Sequence, residues 1–353
     1  MDYALKCTGC KKDYPAEYPC QTCGSCGRNL EVQYKGGVKF KASDGLGFWN
    51  YEQGLPKGRY NHYELGGTRL MRSEESPNLY LKLELENPTG SFKDRGSVVE
   101  VAKAKEYGYK EIACASTGNM AYSLSYYSKL EGIRARVFIS NDANRDKIRN
   151  IRETRTAAIT RVDGDFNKAL GLAYKYSIRH KAFLTGDYCY RKEGQKTVGY
   201  EIMDQLPSAT HILVPVGNAT LISGVFRGLT EMKAAGRIRQ IPRIIAVQSE
   251  LCSPLVKAFK RKTEIRYEKP RTAADAIAVG YPTFGGQGLE AVHATGGCAV
   301  SVTEREMRLA QERFEHEYGL IVELAGAASV AAAGKIGLGG KDRAVAIVSG
   351  GNV

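Results

Sequence analysis

From Ile112 onward, short apolar runs alternate with stretches of helical periodicity. Ile112-Ala113-Cys114-Ala115, Ala135 to Ser140, Ala158 to Val162 and Ala182 to Thr185 read as buried strands, and the first intervening helix contains Tyr122, Leu124, Tyr126 and Tyr127. Repeated β-α units of this length dictate a parallel sheet, with right-handed crossovers and sites at the strands' carboxyl ends. Residues 96–184 are therefore expected to form one α/β domain. A strand leading into Val214-Pro215-Val216 and the run Ala344 to Val348 extend the α/β pattern to the chain's end. With 353 residues and 43% hydrophobic content, the chain can bury two domains and still carry a small appendage.

The appendage is residues 1–34, which hold five of the nine cysteines. Met-Asp-Tyr-Ala-Leu-Lys lacks the apolar core of a secretory signal and no run reaches transmembrane length, so a cytoplasmic protein with no membrane partner is expected. In that compartment clustered cysteines point to metal thiolates rather than disulfides. Cys7-Thr8-Gly9-Cys10 and Cys20-Gln21-Thr22-Cys23-Gly24-Ser25-Cys26 form knuckles suited to tetrahedral zinc, with Cys20, Cys23 and Cys26 competing for two places. A redox pair, a ribbon that no longer binds metal and a nucleic-acid finger are the alternatives. No basic recognition helix follows, which disfavours nucleic acid. The net charge of +13 is spread along the chain, and its densest group, Lys257 to Lys262, reads as the polar face of a helix. A basic surface also suits an anionic substrate.

The chemistry centres on Glu86-Asn87-Pro88-Thr89-Gly90-Ser91-Phe92-Lys93-Asp94-Arg95-Gly96. Asn-Pro and Thr-Gly mark a turn, Asp94 favours a first helical turn, and Val98 to Lys103 continues with helical periodicity. Lys93 thus sits where a loop enters a helix. Beside Arg95, at the positive end of the helix dipole, its amine should lose a proton more easily than a solvated lysine and can form a Schiff base. The plain reading is a helix start with a solvated Lys-Asp-Arg face.

The run Asn-Pro-Thr-Gly-Ser-Phe-Lys-Asp-Arg-Gly resembles the cofactor-lysine segment of the threonine synthases, fold type II pyridoxal-phosphate enzymes. Other segments resemble the same family in the same order: Gly66-Gly67-Thr68-Arg69-Leu70, Ser116-Thr117-Gly118-Asn119, Arg191-Lys192-Glu193-Gly194-Gln195-Lys196-Thr197 and Val214-Pro215-Val216-Gly217-Asn218-Ala219-Thr220-Leu221. Gly-Arg-Asn-Leu-Glu-Val after Cys26 resembles the end of the zinc ribbon that begins some threonine synthases, which favours Cys7, Cys10, Cys23 and Cys26 as ligands of a structural zinc.

The resemblance implies two three-layer α/β domains with mostly parallel sheets plus the N-terminal zinc ribbon. The ribbon is 1–34, the large cofactor-binding domain 35–95 with 185–353, and the small domain 96–184. It assigns pyridoxal 5′-phosphate to Lys93, with Phe92, Asn119, Gly217, Asn218, Ala219, Thr220, Leu221 and Ser349 binding the cofactor. Asn119 would lie against the 3′ oxygen, residues 217–221 would cradle the phosphate at a helix start, and Ser349 would meet the ring nitrogen. Ser116, Thr117 and Arg191 would bind a small amino-acid substrate, phosphorylated in the threonine synthase reaction, and the enzyme would be a homodimer. Glu323, in Ile321-Val322-Glu323-Leu324, stands where relatives place a glutamate near the cofactor. Plain readings exist beside these: a helix cap for Ser116 to Asn119, a surface ion pair of Arg191 with Glu193, a strand-ending serine at 349.

Three positions depart from the family pattern. Met120 follows the loop asparagine where a small residue is usual, Thr185 and Gly186 replace an Asn-Ser pair, and the chain closes on Ser349-Gly350-Gly351-Asn352-Val353, a form closer to serine and threonine dehydratases. Threonine synthase is the leading expectation. The alternatives are an ammonia lyase or replacement enzyme on another amino acid, and a non-catalytic zinc-ribbon protein.

Overall fold

A computed structural model describes residues 2–40, 45–116, 118–140, 145–164 and 166–351. The chain divides into two compact units. One comprises Met1–Lys41, Tyr51–Leu65 and Lys93–Gly194, the other Ala42–Asn50, Gly66–Phe92 and Gln195–Val353.

The first unit contains two sheets. In the ribbon, strand Tyr3–Cys7 is flanked antiparallel by Asp13–Pro15 and Leu30–Tyr34. The second sheet has four parallel strands in the order Ala157–Val162, Arg134–Ser140, Glu111–Ala115, Phe183–Leu184. These are the expected runs. Strand Glu111–Ala115 is buried along its whole length, as a central parallel strand covered on both faces must be. The chain leaves it on one side for Arg134–Ser140 and returns on the other as Phe183–Leu184, so Ser116, which follows it, stands where the strand order reverses. Helix Asn119–Glu131 ends at Gly132, whose φ of 67° places it in the left-handed region that closes a helix.

The second unit is built on six strands in the order Cys298–Val302, Arg243–Ser249, His211–Pro215, Ala344–Val348, Leu79–Leu83, Leu70–Arg72, parallel but for the last pair. His211–Pro215 and Ala344–Val348 are fully buried, and each Ile, Leu or Val there contributes about 1.5–3 kcal/mol by leaving water. Helix Glu304–Tyr318 starts at a capping box: Glu306 N–H donates to Thr303 Oγ1 at 3.1 Å, and Thr303 N–H to Glu306 Oε2 at 2.7 Å.

Leu79–Leu83 departs from its sequence pattern. Lys82 alternates with apolar neighbours as though it faced water, yet it is buried and donates to Glu201 Oε2 at 2.7 Å, Thr68 O at 2.7 Å and Gln205 Oε1 at 2.9 Å. The strand lies inside the sheet rather than at its edge, and a buried charge persists there only because it is paired and hydrogen-bonded. Among the points where the chain passes between the units are Phe92/Lys93 and Gly194/Gln195. Helix Cys189–Gln195 packs with the helix that Lys93 begins, and this keeps residues 185–194 with the smaller sheet: a Cβ on Gly194 would lie 1.9 Å from the Arg95 carbonyl oxygen.

Candidate active site and ribbon cluster

Lys93 is the first residue of helix Lys93–Glu106 and is half-buried. The helix is buried almost all round, Asp94 and Arg95 included, so the solvated Lys-Asp-Arg face does not exist. Ser97 and Glu100 follow Lys93 at four and seven residues and share its face of the helix. Arg191 reaches this face from helix Cys189–Gln195. Its Nη1 donates to the Lys93 carbonyl at 3.2 Å, Nη2 to Ser97 Oγ at 3.2 Å and to Glu100 Oε2 at 2.5 Å, and Nε to the Gly186 carbonyl at 2.8 Å. Neither Arg191 nor Glu100 is exposed.

A surface ion pair with Glu193 therefore does not describe Arg191, whose carboxylate partner is Glu100. Nε and Nη2 are fully engaged by these protein acceptors, and of Nη1 one N–H goes to the Lys93 carbonyl. Burial pushes the Glu100 carboxyl up, opposed by Arg191, by the Gly186 N–H at 3.0 Å and by Gln21 Nε2 at 3.3 Å.

Ser116 follows strand Glu111–Ala115 and is buried, and its Oγ accepts the Gly118 N–H at 3.3 Å. Asn119 opens helix Asn119–Glu131 and is half-buried. Thr117 lies outside the described residues. The departures have local reasons. Thr185 is held by the Ala113 carbonyl through its N–H at 2.9 Å and its hydroxyl at 3.2 Å. Gly186, at φ 144°, occupies backbone space that favours glycine and there serves both Arg191 and Glu100.

In the second unit, the candidate residues follow the carboxyl ends of three adjacent parallel strands. After Leu83 comes the turn to Phe92, after Pro215 the loop 216–219, and after Val348 the Ser-Gly-Gly segment. Ala219 takes a left-handed conformation (φ 62°, ψ 13°) and offers no side-chain cap to helix Thr220–Ala234, leaving the helix start to the backbone N–H groups of its first turn. Gly217 is required by close approach, since a Cβ there would lie 2.8 Å from the Ala276 carbonyl oxygen. Asn218 Oδ1 accepts the Thr283 N–H at 3.3 Å and hydroxyl at 3.2 Å, which ties the glycine-rich segment 278–288 to the loop. Leu221 is buried in the helix's first turn. This small-residue cradle at a 15-residue helix fits a phosphate.

Phe92 N–H donates to the Ser349 carbonyl at 3.1 Å, and Ser91 pairs with Gly350. Ser349 is buried, and Glu323 is buried at the start of helix Leu324–Ala331. The Ser91 hydroxyl is buried without a partner among the described residues, two residues before the lysine, as fits a chain whose hydrogen bonding there is completed by a ligand.

In the ribbon, the sulfurs of Cys7, Cys10, Cys23 and Cys26 lie within 4.8 Å of one another, with Cys7 to Cys26 at 3.4 Å and Cys10 to Cys23 at 3.6 Å. Zinc–sulfur bonds of about 2.3 Å in a tetrahedron separate sulfurs by about 3.8 Å, so the donor set fits that ion. The Tyr14 hydroxyl, 3.0 Å from Cys23 Sγ, is the main cause holding that thiol down at about 5. Cys20 stands outside the cluster.

Glu100 and Gln21 were not legible as site residues. Glu100 carries a signal in its seven-residue spacing from Lys93. Gln21 carries none, because a knuckle residue between two cysteines gives no hint that its side chain reaches a helix so far along the chain.

A family model described as pyridoxal-phosphate dependent enzyme matches residues 63–350. The threonine synthase of Methanosarcina acetivorans is 35% identical over 373 aligned residues, spanning 99% of this chain and 92% of that protein. That of Methanocaldococcus jannaschii is 34% identical, spanning 94% and 87%. Among solved structures, maize serine racemase superposes with a TM-score of 0.71 at 24% identity, covering 81% of this chain and 88% of that one.

Proposed function

The chain belongs to the pyridoxal-phosphate-dependent enzyme family, and from that membership we propose that it is a lyase of the threonine synthase type, converting O-phosphohomoserine and water to L-threonine and phosphate. The observation that carries this reading is the likeness to a threonine synthase over 99% of the chain, ribbon included. No helix among the described residues is long and apolar enough to cross a membrane, and a small amino-acid substrate suits the family.

Pyridoxal phosphate, joined to a lysine amine, supplies an electron sink for negative charge beside an amino acid's α-carbon. In this reading the Lys93 Nζ would hold that group and, with substrate bound, would carry protons between substrate carbons. Backbone N–H groups of 217–221 hold the cofactor phosphate, with the positive end of helix Thr220–Ala234 behind them. Asn119 and Phe92 would keep the ring in place. Ser349 would offer the ring nitrogen a neutral hydroxyl, which would not hold that nitrogen protonated and so would favour elimination and replacement over transamination. Ser116 and Thr117 bind substrate. Arg191 is the third substrate-side residue that the resemblance implies, and its guanidinium also bonds the Lys93 backbone carbonyl. The four ribbon thiols hold a structural zinc, and a homodimer is the assembly the resemblance implies.

The test is phosphate release from O-phosphohomoserine by protein supplied with pyridoxal phosphate, run beside ammonia and keto-acid release from threonine and serine. Phosphate with threonine as co-product supports the proposal. Ammonia release alone would replace it with a dehydratase.

A further inference from the structure

The helix that carries Arg191 is only seven residues long, and the ribbon holds it at four points. Tyr190 N–H donates to Gln21 Oε1 at 3.2 Å, satisfying one of the helix's first-turn donors, and the Tyr190 hydroxyl meets that of Tyr3 at 3.1 Å. Lys192 donates to Glu31 in a buried ion pair, and Tyr34 donates its hydroxyl to Glu193 at 2.5 Å. Between these residues Arg191 faces the other way and bonds the Lys93 carbonyl, Ser97 and Glu100. The contact between the two helices is made at backbone distance: a Cβ on Gly96 would lie 3.0 Å from the Arg191 carbonyl oxygen and 3.2 Å from its Cα. A rotation of the short helix therefore cannot be absorbed by side chains and passes into the first turn of the lysine helix.

Gln21 closes this network. Its Nε2 donates to Glu100 Oε1 at 3.3 Å and to the Leu184 carbonyl at 2.9 Å, while its Oε1 accepts from Tyr190. Its own backbone is fixed by the second knuckle, where Leu30 N–H donates to the Gln21 carbonyl at 3.0 Å and Cys23 N–H to the Arg28 carbonyl at 2.7 Å. One amide thus connects a knuckle bearing two of the clustered thiols to the carboxylate that holds Arg191.

We propose that the ribbon is a positioning device for Lys93, that Gln21 is the positioning residue through which it acts, and that the metal state of the four-cysteine cluster is read at the lysine through Gln21, Glu100 and Arg191. The inference rests on Lys93 carrying the cofactor. The route is covalent or hydrogen-bonded at each step, from Cys23 through Gln21 to Glu100, Arg191 and the first carbonyl of the lysine helix. A shift of the helix's first turn changes the approach of the amine to the substrate carbons, where small displacements are expensive in rate.

The experiment uses full-length holoenzyme and Gln21→Met, which preserves side-chain length and removes the hydrogen bonds. The visible absorbance of the lysine-bound cofactor is titrated against pH, and kcat, KM and zinc content are measured. The expected result is a displaced titration midpoint and a kcat lowered roughly five- to fifty-fold, with KM changed less and zinc retained. In a second arm, zinc is removed from wild-type holoenzyme with a chelator and restored. The same spectral displacement should appear and reverse, and this arm decides the matter if the variant does not fold. A Gln21→Met protein with wild-type midpoint and kcat, or a metal-free wild type with an unmoved spectrum, overturns the proposal. A wild type that stays colourless with excess pyridoxal phosphate overturns the assignment of Lys93 and the proposal with it.

Discussion

The carbonyl of Ser349 accepts the backbone N–H of Phe92 at 3.1 Å, tying the end of the last strand to the residue that precedes Lys93. Ser91 pairs with Gly350, and Gly351 N–H donates to the Gly90 carbonyl at 2.9 Å. On its other side this segment meets Val322 and Glu323, whose N–H donates to the Gly350 carbonyl at 3.1 Å. The Ser-Gly-Gly segment is thus laced between the lysine turn and the residues that open helix Leu324–Ala331, and it needs small residues to fit.

Gly351→Ala tests that packing. A Cβ at this position would lie 2.5 Å from the Ile321 carbonyl oxygen and 3.3 Å from Leu85 Cβ, so backbone must move. We expect a loss of about 1–3 kcal/mol in stability together with weaker cofactor binding. Thermal unfolding and a titration of apo-protein with pyridoxal phosphate measure the two. Wild-type values in both would show that the terminal segment does not brace the lysine turn.

Lys93→Ala removes the amine to which the chemistry is assigned. Activity should fall by about 10³-fold or more, and the protein should no longer hold the cofactor covalently after borohydride reduction. Mass spectrometry of the reduced wild type should place the adduct on Lys93. An adduct on another lysine would move the site.

Much of this arrangement could be read before folding was considered, because it is written in local patterns. The strands bounding the small sheet show as apolar runs, Lys93 is marked by its turn and helix start, and the clustered thiols are marked by knuckle spacing. Other parts depend on partners far along the chain. Gln21 bonds Glu100 across 79 positions and Arg191 bonds Glu100 across 91, so neither contact leaves a periodic trace. Lys82 misleads for a related reason: alternation reports a half-exposed strand, and only the neighbouring strands decide whether the polar face is covered. The division at Gly194/Gln195 likewise follows from glycine contacts between helices that sequence spacing does not reveal.

Glu131 gives a pH dependence outside the site. Burial alone would raise its carboxyl, but Lys105 Nζ at 2.7 Å, the Tyr63 hydroxyl at 2.8 Å and Asn61 Nδ2 at 2.8 Å outweigh it and hold the group below its ordinary value of 4.5. A carboxyl lowered in the folded state adds stability that is fully present above its unfolded pKa and is lost as pH falls through the folded one. The window therefore lies at and below about pH 4.5. Glu131→Gln should cost about 1–3 kcal/mol at pH 7 and flatten the acid loss. Melting curves of both proteins between about pH 7 and 3.5 make the comparison, and parallel acid limbs would exclude the assignment.

The ribbon yields the sharpest discrimination among residues, because three cysteines of one short segment compete for two ligand places. Cys23 and Cys26 lie with Cys7 and Cys10 inside the cluster, and Cys20 lies outside it. Tetrahedral zinc requires four donors, and a serine hydroxyl is a far poorer ligand than a thiolate. Cys26→Ser should therefore lower bound zinc from one equivalent per chain to a small fraction, with a lower melting temperature, because metal binding energy in such a small unit is folding energy. Cys20→Ser should keep its zinc and melt as the wild type does. Metal analysis of the two purified variants settles which set holds the ion. Zinc retained by Cys26→Ser and lost by Cys20→Ser would reverse the ligand assignment, and zinc absent from the wild type would leave the cluster as a thiol site.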